Sequence, residues 1–339
     1  MEFAIKLSIL LDLRQCYTKW QNSNSMSRVM KTTVVICTRN RKELVEQLLD
    51  CLTHQTMLPN QLIVVENTTE AQYLSKSLLE KYFEGKGVSI VYVACQSINI
   101  AASRNLSLKH IRGDIAFFID DDVLFSKNTI QSIVEVFRAN KKTNCCCCKF
   151  YTKEKSIFAK FACQFFNSAS HGKKSGAVLF SPFAFIVFRS SSIRDMHLRE
   201  TYSTGEDVYF MAQFAAKGQS CVLVPRIKIY HNFLRGKFIN FVNRFWQYHK
   251  NDLQRYFCEG EFSEEINLFL PRRRLEYFFL PFTLLGRLLS ATRHYRKKYD
   301  LSSEYMLPIF AYHFIFILTL LFSRHGVLTL KRDFFSRFN

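Results

Sequence analysis

The sequence predicts an α/β fold: an open, mostly parallel central sheet flanked by helices, followed by a basic, aromatic helical region. Three observations carry this. Short β-branched runs alternate with helix-period segments from residue 31 to about 140; polar and acidic residues stand at the strand ends; and the last hundred residues turn basic and aromatic.

The first strand is Thr32-Thr33-Val34-Val35-Ile36-Cys37, apolar enough to be buried on both faces. Thr38-Arg39-Asn40-Arg41 breaks it. Leu44, Val45, Leu48, Leu49 and Leu52 then fall at helical spacing between Lys42 and His54. Pro59-Asn60 turns the chain into Leu62-Ile63-Val64-Val65, ending at Glu66, which completes a βαβ unit with an expected right-handed crossover. A third strand is expected at Val88–Val93, a helix at Asn99–His110 and a fourth strand at Ile115–Ile119, running into Asp120-Asp121-Asp122. The next helix opens near Ser126, with Ile130, Ile133, Val134 and Phe137 on one face. Lys149 to Lys174 shows no clean period. Phe183–Phe188 reads as a strand, Thr204-Gly205-Glu206-Asp207 as the start of a helix running to Lys217, and Cys221–Val224 and Ile227–Tyr230 as two short strands before His231.

Composition narrows the classes. At 339 residues with 48% hydrophobic and 22% charged residues, the chain is globular rather than disordered, and 11 Gly with 6 Pro exclude collagen-like and Pro-rich architectures. Net charge is +19, which calls for an anionic partner. The odd number of cysteines, 11, without regular spacing, fits a reducing compartment. Glu2 and Asp12 in the opening MEFAIKLSILLDL argue against a secretory signal, so residues 1–30 read as an extension and the expected location is the cytosol.

The acidic triplet is the strongest chemical signal. Residues i and i+2 of an extended chain project to one side, so Asp120 and Asp122 can converge on a hard divalent ion, Mg²⁺ or Mn²⁺. The bland alternative is an acidic turn capping the next helix. At the carboxyl end of a buried strand, where open α/β sheets bind ligands, the metal reading is favoured. A calcium hand fails, because the loop lacks its glycine and its twelfth-position glutamate. Glu206 and Asp207 would by themselves be carboxylates in a helix's first turn. Beside a metal–diphosphate site one of them can instead take a proton from a hydroxyl. His231 is either structural or a nitrogen ligand.

With these residues in view, residues 32–231 resemble the catalytic domain of family 2 glycosyltransferases, which have the GT-A fold. TTVVICTRNR resembles the family's opening strand and loop, Asn99-Ile-Ala-Ala-Ser-Arg104-Asn105 its Gly-x-x-x-Ala-Arg-Asn segment, Asp120-Asp121-Asp122 its Asp-x-Asp, and Gly205-Glu206-Asp207 its Gly-Glu-Asp. Glu66 stands where the family has an aspartate near the nucleobase or ribose, and His231 where a histidine lies near the metal. The resemblance implies a nucleotide held by Thr38, Arg39, Asn40, Arg41, Glu66, Arg104, Asn105, Asp120 and Asp121. It also implies Mn²⁺ or Mg²⁺ on Asp120, Asp122 and His231, with Asp207 as catalytic base supported by Glu206. The pattern departs at Glu66 for Asp, Asn99 for Gly and Ser103 for Ala, and Pro182-Phe183-Ala184-Phe185 stands for a Gly-Gly-Asn.

The implied function is inverting transfer of a sugar from a nucleoside diphosphate sugar, UDP-linked by preference, to a glycan or lipid-linked acceptor. Two other classes compete. A non-catalytic membrane scaffold would have no reason to gather carboxylates at strand ends. A sugar-nucleotide-synthesising nucleotidyltransferase would want a Gly-rich loop after the first strand, where Thr38–Arg41 has no glycine.

Cys145-Cys146-Cys147-Cys148 suggests zinc, but no second Cys-x-x-Cys follows, and cysteine packs well as a small hydrophobe. Pro271–Lys298 carries eight Lys/Arg against Glu276 alone, with Leu275, Phe278, Phe279, Phe282, Leu285, Leu288 and Leu289 interleaved. This reads as an in-plane membrane element on anionic lipid rather than a nucleic-acid surface. Met306–Phe322, 17 residues broken by Pro308, His313 and Thr319, is at the lower limit for a span. The expected division is a catalytic domain at 31–235, with a nucleotide half at 31–125 and an acceptor half at 126–235. A membrane-associated region at 236–339 would hold it on the cytoplasmic face of a membrane. Arg235, Arg244 and Trp246 follow the catalytic domain, where related enzymes place acceptor-side or gating residues.

Overall fold

A computed structural model describes residues 29–68, 74–96, 99–170, 177–178, 181–201, 205–232, 237–259, 280–298 and 301–323. The amphipathic start, Arg235, and Leu275, Phe278 and Phe279 lie outside them.

The first βαβ unit is as the pattern requires. Strand β1 (Thr32–Thr38) is buried throughout: Val34 and Ile36 enter one core cluster and Val35 and Cys37 the other. Helix α1 (Lys42–Thr53) buries Val45, Leu48, Leu49 and Leu52. Strand β2 (Gln61–Asn67) pairs parallel with β1, aligning Thr38 with Glu66. Helix α2 (Lys76–Tyr82), strand β3 (Ser89–Cys95), helix α3 (Ile100–Leu108) and strand β4 (Ile115–Asp120) complete the parallel half, with Cys37 beside Asp120. Gly113 precedes β4 because the chain passes Thr33 closely: a Cβ there would lie 2.8 Å from the Thr33 nitrogen.

The other half is mixed. Strand β5 (Val123–Phe125), helix α4 (Thr129–Ala139), strand β6 (Cys145–Tyr151), helix α5 (Ile157–Ser170), strand β7 (Ala177–Val178), strand β8 (Phe185–Arg189), a single turn α6 (Ser190–Ile193), helix α7 (Glu206–Ala216) and strand β9 (Cys221–His231) follow. The order is β3-β2-β1-β4-β8-β6-β9-β5, with β7 on β9. Strand β8 lies antiparallel between β4 and β6, so the parallel arrangement is confined to β3-β2-β1-β4 and to β6 with β9. Apolar runs buried on both faces carry no direction, which is why the pattern did not reveal this reversal.

Several expected boundaries move. The helix expected near Ser126 starts at Thr129, and the strand expected at Phe183 starts at Phe185. The helix expected from Thr204 starts at Glu206. The two short strands become one, because β9 steps from Val224 to Lys228 while β6 steps from Cys148 to Lys149. Pro225, which has no N–H to give the ladder, lies in that irregularity. The stretch from Lys149 that lacked a period holds the end of β6 and α5; Phe161, Phe165 and Phe166 of α5 pack on aromatic partners. The four cysteines of β6 are all buried, Cys146 and Cys148 on one face, Cys145 and Cys147 on the other, as small core side chains.

Helices α8 (Phe238–Glu259), α9 (Leu280–Lys298) and α10 (Met306–Phe322) pack together around Leu253, Leu288, Ala291 and Phe316. Phe241, Phe245, Tyr295 and Tyr312 also join the cluster that runs under the sheet. Among the described side chains of α9, Leu288, Ala291 and Tyr295 are buried in these clusters, while Leu289, Arg293, Arg296 and Lys297 are exposed. Residues 303–322 form a helix long and apolar enough to cross a membrane, half of it buried.

Candidate active site

The parallel strands β1, β2 and β4 end side by side, so their last polar residues gather at one edge of the sheet. Asp121 points back into the protein. Its carboxylate accepts from the Thr38 hydroxyl at 2.7 Å and from the Arg41 guanidinium at 2.9 Å. Burial, the strongest influence, and neighbouring Asp122 push its pKa up to about 6 against the pull of Arg41 and Thr38. With the central carboxylate anchored, the two flanking ones face the cleft, as alternation along an extended chain requires.

The third member comes from far along the chain. Strand β5 pairs antiparallel with the end of β9, placing Val123 opposite His231. His231 Nε2 lies 3.2 Å from an Asp122 oxygen. Burial opposes ionisation of Asp122, but His231, Arg41 and Arg244 hold its carboxyl well below the usual range. Ligand atoms of Asp120, Asp122 and His231 all lie within 4.8 Å of one another. Two carboxylates and one imidazole at that spacing fit Mn²⁺ or Mg²⁺, whose preference is for hard oxygen donors.

Arg104 links this cluster to the first turn of α7. Buried on α3, it gives one nitrogen to Asp120 at 2.9 Å and the other to Glu206 at 2.5 Å, with its guanidinium 4.9 Å from the centre of the Phe183 ring. Gly205 opens α7 with φ +80, a left-handed turn that glycine adopts without penalty, and Glu206 and Asp207 follow in the first turn. Glu206 is therefore the partner of Arg104. Asp207 accepts from the Val208 N–H at 2.8 Å. Burial first, then the adjacent Glu206 charge, push Asp207 up to about 7, against the pull of Arg104 and the Val208 N–H. A carboxylate in that range is suited to take a proton at neutral pH.

The remaining expected nucleotide residues divide. Arg39 and Asn40 are exposed on the loop after β1, where Asn40 has φ +52 and receives the Thr68 hydroxyl. Glu66 is fully buried, and one of its oxygens accepts from the Tyr92 hydroxyl at 2.6 Å and from Leu74 N–H at 3.3 Å, so it ties β2 to β3 and to the chain after it. Asn105 holds the segment at Leu198 through both ends of its amide. Asn99, in place of a glycine, caps α3 by accepting from Ala101 N–H at 2.8 Å.

A cleft of about 690 Å³ joins the acidic cluster, Arg41, Arg104, Glu206 and Asp207 to a wall the motifs did not indicate: Phe165 and Phe166 of α5, Phe245 and Tyr248 of α8, and Tyr312 of α10. Arg244 lines the same cleft, while Trp246 packs partly buried against the core. No motif marks these aromatic residues; α5 and the docked helices α8 and α10 bring them here.

Residues 33–200 match the family model described as Glycosyl transferase family 2. Glu206, Asp207 and His231 lie beyond that match. The uncharacterized glycosyltransferase YwdF of Bacillus subtilis (strain 168) is 28% identical over 106 residues, 31% of this chain but only 38% of that protein's length. The O-antigen chain rhamnosyltransferase RfbN of Salmonella typhimurium (strain LT2) is 24% identical over 246 residues, covering 69% of this chain and 72% of its own. Among solved structures, the mannosyltransferase PcManGT from Pyrobaculum calidifontis in complex with GDP-Man and Mn²⁺ superposes with a TM-score of 0.59 at 16% identity, over 88% of this chain and 89% of that one. Residues 1–349 of S. aureus TarS give 0.51 at 16% identity, over 85% and 91%. At these identities the superpositions speak for the fold.

Proposed function

This chain is a family 2 glycosyltransferase of the GT-A fold, and from that premise we propose that it transfers a sugar, with inversion, from a nucleoside diphosphate sugar to a hydroxyl of a glycan or lipid-linked acceptor. UDP is the favoured nucleotide. The observation that carries the reading is the convergence of Asp120, Asp122 and His231, with Arg104 linking Asp120 to Glu206, the neighbour of Asp207 in the first turn of α7.

Asp120, Asp122 and His231 are the residues that would hold Mn²⁺ or Mg²⁺. Such an ion supplies positive charge against the departing diphosphate. Arg104, fixed between two carboxylates, keeps a second cation at the same place without having to reorganise during reaction. Arg41 reaches Asp121 and Asp122 from the loop after β1, so that loop and the acidic cluster are set together around the donor. Thr38 fixes Asp121; Arg39, Asn40, Glu66 and Asn105 border or brace the nucleotide side. Asp207 takes the proton of the acceptor hydroxyl. The acceptor oxygen bonds to the sugar carbon as the bond from that carbon to the phosphate oxygen breaks, and attack on the opposite face inverts the configuration.

Residues 31–235 form the catalytic unit in this reading and 236–339 its membrane-associated region, on the cytoplasmic face. Exposed Leu307, Phe314 and Phe322 on α10 and exposed Arg293, Arg296 and Lys297 on α9 support a membrane seat. The half-buried state of α10 favours a peripheral seat over a span.

The test is a panel of nucleotide sugars with Mn²⁺ or Mg²⁺, scored for binding and donor hydrolysis. Calorimetry should show UDP binding with Mn²⁺ weakened in Asp122→Asn while the fold persists. Unchanged affinity in that variant removes the metal assignment.

A further inference from the structure

The end of the β6–β9 pair carries a charged face that the proposed reaction does not use. Lys149 is the cross-strand partner of Lys228, and Tyr151 that of Tyr230. Alternation sends Phe150 and Ile229 into the core, so these four side chains share the opposite face. Lys228 Nζ lies 5.5 Å from the centre of the Tyr151 ring. Lys153 Nζ, from the chain just beyond β6, lies 5.0 Å from the centre of the Tyr230 ring, and the two rings are 6.1 Å apart. Lys153 and Lys228 are exposed, as is Arg226. Among the described residues no carboxylate forms an ion pair with Lys149, Lys153 or Lys228. Like charges on paired positions repel, so the arrangement costs the fold something that a bound anion would relieve.

We propose that this face binds an anionic glycan, a chain whose sugars carry acidic groups, and holds it beside the reaction cleft as the acceptor chain. Two observations select that partner. The first is the rings. Both already have an ammonium group at cation–π distance, so they fix the cations in place. They do not offer the free stacking faces on which single-stranded nucleic acid depends. The second is continuity with the site. A cavity of about 270 Å³ is lined by Tyr230 and Lys153 together with Asp122 and His231, and Gln47, Glu154 and Asn232 add hydrogen-bonding groups suited to sugar hydroxyls. Asp122 and His231 also line the larger cleft that holds Asp207. A chain whose acidic groups rest on the lysines thus lies next to the metal cluster, with its hydroxyls toward the polar cavity. The face adds affinity for the chain and takes no part in the chemistry. Its assignment to the acceptor rests on the glycosyl-transfer reading; the binding itself does not.

The probe is hexagalacturonic acid, one carboxylate per sugar, titrated into the full-length protein by calorimetry at low ionic strength, where exposed charges are least screened. Maltohexaose serves as the neutral hexasaccharide and a thymidine hexanucleotide as the charged chain that is not a glycan. The acidic hexasaccharide should bind at least about tenfold more tightly than either. Lys153→Gln with Lys228→Gln, both at exposed positions, should weaken it about tenfold, the loss of two exposed ion pairs at the stronger end of their range. Tyr151→Leu with Tyr230→Leu, which releases the ammonium groups, should weaken it several-fold. Changing Arg293, Arg296 and Lys297 of α9 to Gln removes more charge elsewhere and should leave the affinity intact. The inference is overturned by an affinity indifferent to the Lys153/Lys228 variant, by an equal loss in the α9 variant, or by a hexanucleotide that binds as tightly through the same lysines. UDP binding with Mn²⁺ is measured in parallel. UDP bound and the acidic glycan refused overturns this inference alone; the glycan bound and UDP refused refutes the glycosyl-transfer reading and leaves the anionic surface standing.

Discussion

Replacing Asp207 with Asn keeps the size of the side chain and its acceptor oxygen for the Val208 N–H, and removes the ability to hold a proton. The rest of the machinery stays: Arg104 remains between Asp120 and Glu206, and the Asp120–Asp122–His231 cluster is untouched. Nucleotide affinity should therefore change little. The rate of transfer should fall about 10²–10⁴-fold, the usual contribution of a positioned base, or about 3–5 kcal/mol in barrier height. The pH dependence gives a second reading of the same group. With Asp207 pushed up to about 7, the working, ionised form is half present at that pH. About one-tenth is present one unit below and about nine-tenths one unit above. A base must be unprotonated, so the rate should rise with pH through neutrality. Because the charge of Glu206 is one of the forces raising Asp207, Glu206→Gln should move that rise to lower pH. The assay is initial UDP release in the presence of acceptor, with UDP binding measured in parallel by calorimetry. Near-normal transfer in Asp207→Asn together with a dead Glu206→Gln would refute the assignment, as would a rate with no rise across neutral pH.

Gly113→Ala places a Cβ 2.8 Å from the Thr33 nitrogen and 2.9 Å from the Lys31 carbonyl, backbone that cannot yield, and should lower stability by about 1–3 kcal/mol in denaturant titration. Changing Arg293, Arg296 and Lys297 together to Gln removes three exposed cations from α9 and should weaken sedimentation with anionic vesicles by about 100-fold, at about 1 kcal/mol per charge, with neutral vesicles unaffected. The full chain should be used, because α8 and α10 contribute Phe245 and Tyr312 to the core beneath the sheet, and truncation before them exposes it.

Much of this protein is written locally. The β-branched runs ending in Thr38, Glu66 and Asp120, and the spacing of Val45, Leu48, Leu49 and Leu52, define the parallel half, because burial on both faces of a strand and on one face of a helix leaves a periodic trace. The same locality makes Asp120 and Asp122 legible as a pair, since alternation along an extended chain is enough to put them on one side. Tertiary structure decided what depends on contacts between distant segments. The antiparallel insertion of β8 leaves no mark in an apolar run; the pairing of β5 with β9 is what brings His231 to Asp122. Its motif marks Arg104 for the nucleotide, but only the meeting of α3 with α7 makes it the link between Asp120 and Glu206. The C-terminal helices show the largest gap. Their composition announces charge and apolar surface, but periodicity cannot say which apolar face is exposed and which meets protein. Only packing reveals that Phe245, Tyr248 and Tyr312 close over the cleft where Asp207 stands.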